Sequence, residues 1–387
     1  MQRHEAAPRA DWQARIEKVG LAYHSDGAPP ATGGGLWWHE GAFWEFSEAE
    51  VDTLDDATAE LHARCLDAVD HLVNRAPDLM RDRFALPDWF AQCVQASWRR
   101  GDPALMGRMD LSFDDASGRV SLLEYNADTP TLAIETAVAQ WFWLQDVAPE
   151  ADQFNSLHEK LLARFGWLKG FMGEAGMHFA AYADQPEEWL HSTYFRDLAE
   201  QAGLPTRQLD LAAIGWDGAR FVDEEGGHIR FLHKLYPWEW AREDGFGRAL
   251  AGDVAGVLEP SWKALLSDKA ILPTLHELFP DHPHILPARM GRADGAPDRV
   301  EKPCLGREGA NIRLLSAGQV LEETPGDYGA AGARFISQAL APLPARDGWN
   351  AVIGSWVVGS ETAGIILREG RERIMRDASR VVPHLFR

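Results

Sequence analysis

The stretch Leu122–Thr131 reads LLEYNADTPT. It opens as an apolar strand, then places Glu124, Asn126 and Asp128 close together and continues at once into Thr129-Pro130-Thr131. Packing alone has no use for that many side-chain oxygens. The segment that contains it, RMDLSFDDASGRVSLLEYNAD, holds two extended runs around a polar turn at Asp114–Gly118, which predicts a β-hairpin. Residues two apart on a strand point to one face. Pairing of the two runs therefore lets Arg108, Asp110, Glu124 and Asn126 converge. Two carboxylates and an amide oxygen form a hard, all-oxygen set suited to Mg²⁺, which takes a few carboxylates plus water and substrate phosphates. The arginine beside them suits a phosphate or acyl-phosphate oxygen. A solvated hairpin with surface ion pairs, each worth ~0–1 kcal/mol, has the same spacing.

The chain of 387 residues is long enough for two or three lobes. No apolar run approaches the ~20 residues needed to span a bilayer, and the N-terminal MQRHEAAPRADWQARIEK has no hydrophobic core of a secretory signal. Cys65, Cys93 and Cys304 form no CxxC pair and no disulfide framework, so a cytoplasmic location is expected. The net charge of −21, from 59 acids and 38 bases, argues against a nucleic-acid partner. It fits solubility first, and attraction of a cationic substrate such as a polyamine second; net charge alone does not separate the two. Sixteen tryptophans, clustered in GLWWHEGAFWEF, QWFWLQ and YPWEW, read mainly as core and lobe contacts.

Helices are expected at Ser47–Arg75, where Ser47 and Glu50 form a capping box, and at Pro87–Arg99. Further helices are expected over about 131–145, 153–174, 186–203 and 247–267, with short strands over 209–236 and a strand-rich end. The short loop DGAPPATGGG punctuates the N-terminal part. This order of elements predicts an α+β or α/β enzyme of several lobes.

Two further pieces carry possible chemistry. Lys234, in FLHKLYPWEW, sits in an apolar strand, where a lysine either snorkels to solvent or holds an anion. In VEKPCLGREGANI, Lys302 closes a strand and the following loop carries Gly306, Arg307 and Gly309. Glycines let backbone N–H groups approach a phosphate while Lys and Arg supply charge; a basic hairpin turn would look similar. No HExxH, GxSxG or zinc-spaced His/Cys cluster occurs.

Taken in order, RMD…LLEYNADTPT, KLYPWEW, EPSWKALLSDKAILPTLHELFP, EKPCLGREGANI, FISQAL and GSWVVG…AGIILRE resemble the glutathionylspermidine synthase family, from about residue 12 to 386. The resemblance implies an ATP-grasp fold with a preceding preATP-grasp lobe and a helical N-terminal segment. Its approximate lobes are 1–100 (helical), 101–230 (preATP-grasp and substrate) and 231–387 (ATP-grasp). It implies ATP- and Mg²⁺-dependent carboxylate–amine ligation through an acyl phosphate. Asp110, Glu124 and Asn126 match magnesium ligands, and Arg108 a contact to the acyl-phosphate region. Lys234 and Lys302 match ATP-phosphate ligands, with Arg307, Glu308 and Gly309 folding over the nucleotide. Gln338, Ala339 and Leu340 match the strand at the adenine edge. Thr129 and Thr131 match hydroxyl residues near a thiol-peptide substrate, and the acidic pair Glu187-Glu188 matches a segment near the substrates.

The chain departs from the bifunctional members, which carry an additional amidase domain. Where the bifunctional synthetases place an acid that contacts the polyamine, this sequence has Arg380. A cation there would repel a polyammonium chain and suits an anionic partner. The expected partners are therefore a small peptide or amino acid, glutathione-like, and an amine other than spermidine. The alternative is a non-catalytic ATP-binding or regulatory protein of the same fold.

Overall fold

Ser47 accepts the backbone N–H of Glu50, whose carboxylate in turn accepts that of Ser47, and this capping box starts the helix Glu48–Asn74. Its apolar stripe, including Leu54, Leu61, Cys65, Val69 and Leu72, is fully buried. The stripe packs on a six-stranded antiparallel sheet that runs Arg380–Val382, Glu361–Gly370, Trp349–Val358, Met106–Asp114 and Arg119–Asn126, with Ala345–Arg346 appended. Met109, Leu111, Tyr125, Ile353, Ile365 and Leu367 fill the face toward the helix. Thr58 Oγ1 and Ser355 Oγ meet at 2.7 Å, and Tyr125 Oη and His62 Nδ1 at 3.0 Å, so the buried polar groups there are paired. On the opposite face Met106, Trp356, Val358 and Ile366 pack into a second core with Leu161 and Phe165, and the end that carries Arg108, Asp110 and Arg368 is left open to a cleft.

The computed structural model describes residues 1–25, 36–252, 254–292, 298–330, 332–376 and 379–387; the loop DGAPPATGGG lies outside them. A second antiparallel sheet, in the order Ala288–Met290, Phe335–Ala339, Arg299–Pro303, Arg313–Ser316, Gln319–Glu323, stands across from the free face of the first. A third sheet is wholly parallel: Gly256–Leu258, Phe231–Lys234, Met177–Ala181, Thr206–Asp210. Parallel strands need crossover connections, and the helix Pro186–Gln201 supplies the one between Met177–Ala181 and Thr206–Asp210.

The six-stranded sheet takes strands from both 106–126 and 349–382, so the lobes expected as consecutive segments interleave in space. Two helix expectations change. The helix foreseen from 131 begins later, as a π-helical turn Glu135–Ala139 followed by Gln140–Val147, because Leu132 takes a left-handed φ of 78° and prolongs the loop. The helices foreseen over 247–267 are short, Gly247–Ala251 and Ala264–Ser267, with the strand Gly256–Leu258 between them. Among the described residues, no helix is long and apolar enough to cross a membrane.

Candidate active site

The hairpin of Met106–Asp114 and Arg119–Asn126 carries a bulge. Up to Leu111↔Leu122 the pairing is regular, and the next pair is Asp110↔Glu124, followed by Arg108↔Asn126. Leu123 is the extra residue. Without it the ladder would set Leu123 opposite Asp110 and turn Glu124 to the core. With it, Arg108, Asp110, Glu124 and Asn126 share the free face. On the same face, across the next strand, Gly354 pairs with Asp110. A Cβ at Gly354 would lie 2.8 Å from Arg108 Cδ, so only glycine leaves room for the arginine to lie along the sheet. There Arg108 donates Nε to Asp110 Oδ1 at 3.1 Å and Nη1 to Thr131 O at 2.6 Å.

The bulge also frees backbone groups toward the five-stranded sheet. Lys302 Nζ donates to Leu123 O and to Gln338 Oε1, both at 3.0 Å, and Gln338 Nε2 donates to Leu122 O at 2.9 Å. The two sheets are thus stitched at the edge of one cleft. Its inner cavity is lined by Asp110, Glu124, Lys269, Lys302, Arg307, Glu308, Gly309, Gln338, Ala339, Leu340 and Arg368, among others. Gly309 has φ 68°, and a Cβ there would lie 2.4 Å from Met375 O, so the loop packs tightly beneath the turn at 373–375. The N–H groups of Ala339 and Leu340, expected at an adenine edge, are given to Pro287 O and Asp298 O.

A second, more polar cavity adjoins the first and shares Glu124, Lys269, Gly306, Arg307, Glu308 and Arg368 with it. It adds Arg108, Asn126, Asp128, Thr129, Thr131, Glu187, Glu188 and Glu239. Arg307 reaches into it: Nη2 donates to Thr129 Oγ1 at 3.0 Å, lies 3.7 Å from Glu239 Oε1, and the guanidinium rests on the Trp240 ring. Glu187 and Glu188 enter from the first turn of the helix Pro186–Gln201.

Charge is strongly perturbed where the cavities meet. Burial pushes the Glu124 carboxyl up, but Lys269 at 3.1 Å and Lys302 outweigh it and leave it at about 2. Asp110 moves the other way: burial and the neighbouring Glu124 charge raise it against the pull of Arg108. Burial lowers Lys302 to about 8 despite Glu124, while the Glu124 contact holds Lys269 above its ordinary value against burial. Burial raises Glu187, Glu188 and Glu239.

Most of the residues foreseen in the sequence come together here; two do not. Lys234 lines neither cavity. Its ammonium is buried and bound by Asp128 Oδ1 and Tyr236 O, each at 2.8 Å. The carboxylate two residues past Asn126 has claimed it, whereas Lys269 stands where the two cavities meet, its Nζ also donating to Gly306 O at 3.0 Å. Arg380 is likewise outside both cavities. It is neutralised by the buried Glu369, 2.8 Å away, which also accepts from Arg3 and Trp44. Arg380 therefore presents no free cation to a polyamine in either cavity, and the argument against spermidine loses its geometric basis.

Sequence reading passed over Lys269 and Arg368. Lys269, in LLSDKAIL, is a charged residue enclosed by apolar ones, the same signal that drew attention to Lys234. Arg368 alternates with the core-facing Leu367 on a buried strand, and burial lowers its pKa against the pull of Asp110.

Asp110, Glu124 and Asn126 fit a magnesium ion by donor chemistry. All three offer oxygen, and the two carboxylates are adjacent and only partly compensated. The Asn126 amide nitrogen is buried with no partner among the described residues, so this amide is not spent on the protein. No group of three or more His, Cys, Asp or Glu side chains able to hold a metal occurs among the described residues, so no transition-metal cage competes.

Two antiparallel sheets closing on such a cleft, beside a parallel-sheet lobe, define an ATP-grasp protein. Residues 3–387 match the glutathionylspermidine synthase preATP-grasp family model, and the chain belongs to that family. A Haemophilus influenzae protein named as an acid–amine ligase is 35% identical, with 98% of this chain and 97% of that one aligned. The trypanothione synthetase of Crithidia fasciculata is 27% identical over 81% of this chain, which spans 54% of that protein. Family and relatives place the chain among carbon–nitrogen ligases. The apo structure of a glutathione synthetase-like effector from Globodera pallida shares the fold, with TM-score 0.57, 10% identity, and 97% and 96% of the two chains covered.

Proposed function

We propose that this protein is an ATP- and Mg²⁺-dependent acid–amine ligase working through an acyl phosphate. The observation that carries the reading is Glu124, which lies at the junction of both cavities with Lys269 at 3.1 Å and Asp110 as its cross-strand partner. The inner cavity takes ATP, with Lys302 and Lys269 at its phosphates. Mg²⁺ held by Asp110, Glu124 and Asn126 would neutralise the phosphate oxygens. The polar cavity takes the acid, whose carboxylate Arg108 and Arg368 orient toward the γ-phosphate, with Thr129 and Thr131 beside it.

In the reaction the carboxylate oxygen attacks the γ-phosphorus and ADP leaves. The amine nitrogen then attacks the acyl carbon, an amide bond forms, and the acyl carbon–oxygen bond breaks so that phosphate leaves with the bridging oxygen and its electron pair. Such chemistry asks the protein mainly for positioning and charge neutralisation. Glu187, Glu188 and Glu239 are suited to hold the amine as an ammonium ion and to accept its proton. The acyl substrate is a small peptide or amino acid of glutathione-like size.

The test is ADP release from purified protein with ATP, Mg²⁺ and arrays of acid–amine pairs. Release that needs both an acid and an amine supports the reading. Absence of any Mg²⁺–ATP binding would remove it.

A further inference from the structure

We propose that Lys234 is a positioning residue whose pairing with Asp128 fixes the metal hairpin relative to the lobe that carries the amine-binding acids. The inference rests on the ligase reading above.

Lys234 is the last residue of the parallel strand Phe231–Lys234, and its side chain is 1% exposed. Its ammonium meets Asp128 Oδ1 and Tyr236 O and lies 4.3 Å from the Trp238 ring centre. The other Asp128 oxygen accepts the Trp238 N–H at 2.6 Å. Both carboxylate oxygens are thus taken by groups at the exit of one strand.

Asp128 in turn sits where support is most needed. The ladder of the metal hairpin ends at Asn126, so residues 127–131 have no strand partner. They are held by Ser267 Oγ, which accepts the N–H of Ala127 and Asp128, and by Arg108, Arg307 and Lys234. Lys234 is the tie to the parallel sheet. Its register partner is Ala180, on the strand Met177–Ala181 that leads into the helix bearing Glu187 and Glu188. This ion pair therefore links the Asn126–Thr131 segment to the strand that leads into the element presenting the amine-binding acids, alongside the direct contacts of Thr131 with Glu187 and of the Ala133 N–H with His191 Nε2.

Energetics favour this over a plain stability role. A buried ion pair can often be replaced by apolar groups of like volume at little cost, because desolvation offsets the attraction. What an apolar pair lacks is direction. Partners hydrogen-bonded to metal ligands typically change metal affinity by about 10–100-fold when removed; Asp128 is joined to Asn126 through the backbone, one step further out, so the lower end of that range applies.

The experiment compares wild type, Lys234→Met and Lys234→Met/Asp128→Asn. The double variant leaves no unpaired buried charge, so it keeps the test open where the single variant unfolds. ADP binding is measured by calorimetry in EDTA, and Mg²⁺ binding by titration at saturating ADP. The inference expects about a tenfold or greater loss of Mg²⁺ affinity in the variants that fold, with metal-free ADP affinity within about twofold of wild type. A folded double variant that binds Mg²⁺ as wild type does overturns it. So does a tenfold loss of metal-free ADP affinity, which would make Lys234 a phosphate ligand. Wild-type protein that binds no ADP at all overturns the ligase reading itself.

Discussion

Asp110 and Glu124 are direct partners across the hairpin because Leu123 bulges out of the ladder. Their pKa values shift in opposite directions: Lys269 and Lys302 lower that of Glu124 against burial, while burial raises that of Asp110. Removing the Glu124 charge should therefore take away the firmer half of the metal site. Glu124→Gln keeps size and is expected to cut magnesium-dependent ADP release by at least about 100-fold, with an unchanged far-ultraviolet circular dichroism spectrum. Retained turnover would contradict the metal role.

Lys269 is expected to hold the phosphates. A charge-assisted hydrogen bond is worth about 1.5–3 kcal/mol, so Lys269→Met should weaken ADP binding by about 10–100-fold. Calorimetry reads this directly, and an unchanged affinity would remove Lys269 from the nucleotide site.

Gly354 gives Arg108 its place. Gly354→Val would put side-chain atoms where Arg108 Cδ and Ile366 Cγ2 now lie. The expected cost is about 1–3 kcal/mol of stability. ATP affinity should hold while ADP release falls, because the displaced arginine serves the acyl end. A fall in ATP affinity alone would assign Arg108 elsewhere.

Nucleotide binding should depend on pH through Lys302. Burial lowers its ammonium to about 8, so the group is a cation at pH 7 and loses that charge as pH rises through about 8. ADP affinity of metal-free protein is expected to fall between pH 7 and 9, with a proton taken up on binding near pH 8. Lys302→Met should be weaker at pH 7 and flat across the same range. Calorimetry in buffers of different ionisation enthalpy counts the protons.

Arg380 is expected to serve the fold. Glu369 keeps Arg3 and Trp44 if Arg380 is removed, so Arg380→Met should cost about 1–3 kcal/mol, seen as a lower thermal midpoint. A change in the Michaelis constant for either substrate would return Arg380 to the site.

Much of this was legible before any coordinates. The capping box at Ser47 placed the long helix, and two extended runs around the polar turn Asp114–Gly118 placed the hairpin. What alternation cannot show is a bulge, since Leu123 looks like any other apolar strand residue. Period two counted from the turn would have turned Glu124 away from Asp110; only the cluster of oxygens argued for convergence. Lys234 and Lys269 illustrate a second limit. Each is a lysine among apolar residues, and local sequence does not reveal which one meets a carboxylate from another element. Asp128, more than a hundred residues earlier in the chain, decides it. Arg380 is the same case, with Glu369 eleven residues before it on the neighbouring strand.

The most direct test is a crystal structure with ADP and Mg²⁺ bound. The account predicts the metal on Asp110, Glu124 and Asn126, the phosphates on Lys269 and Lys302, and the Lys234 ammonium still on Asp128. A nucleotide bound outside the cleft between the two antiparallel sheets, or phosphates carried by Lys234, would contradict it.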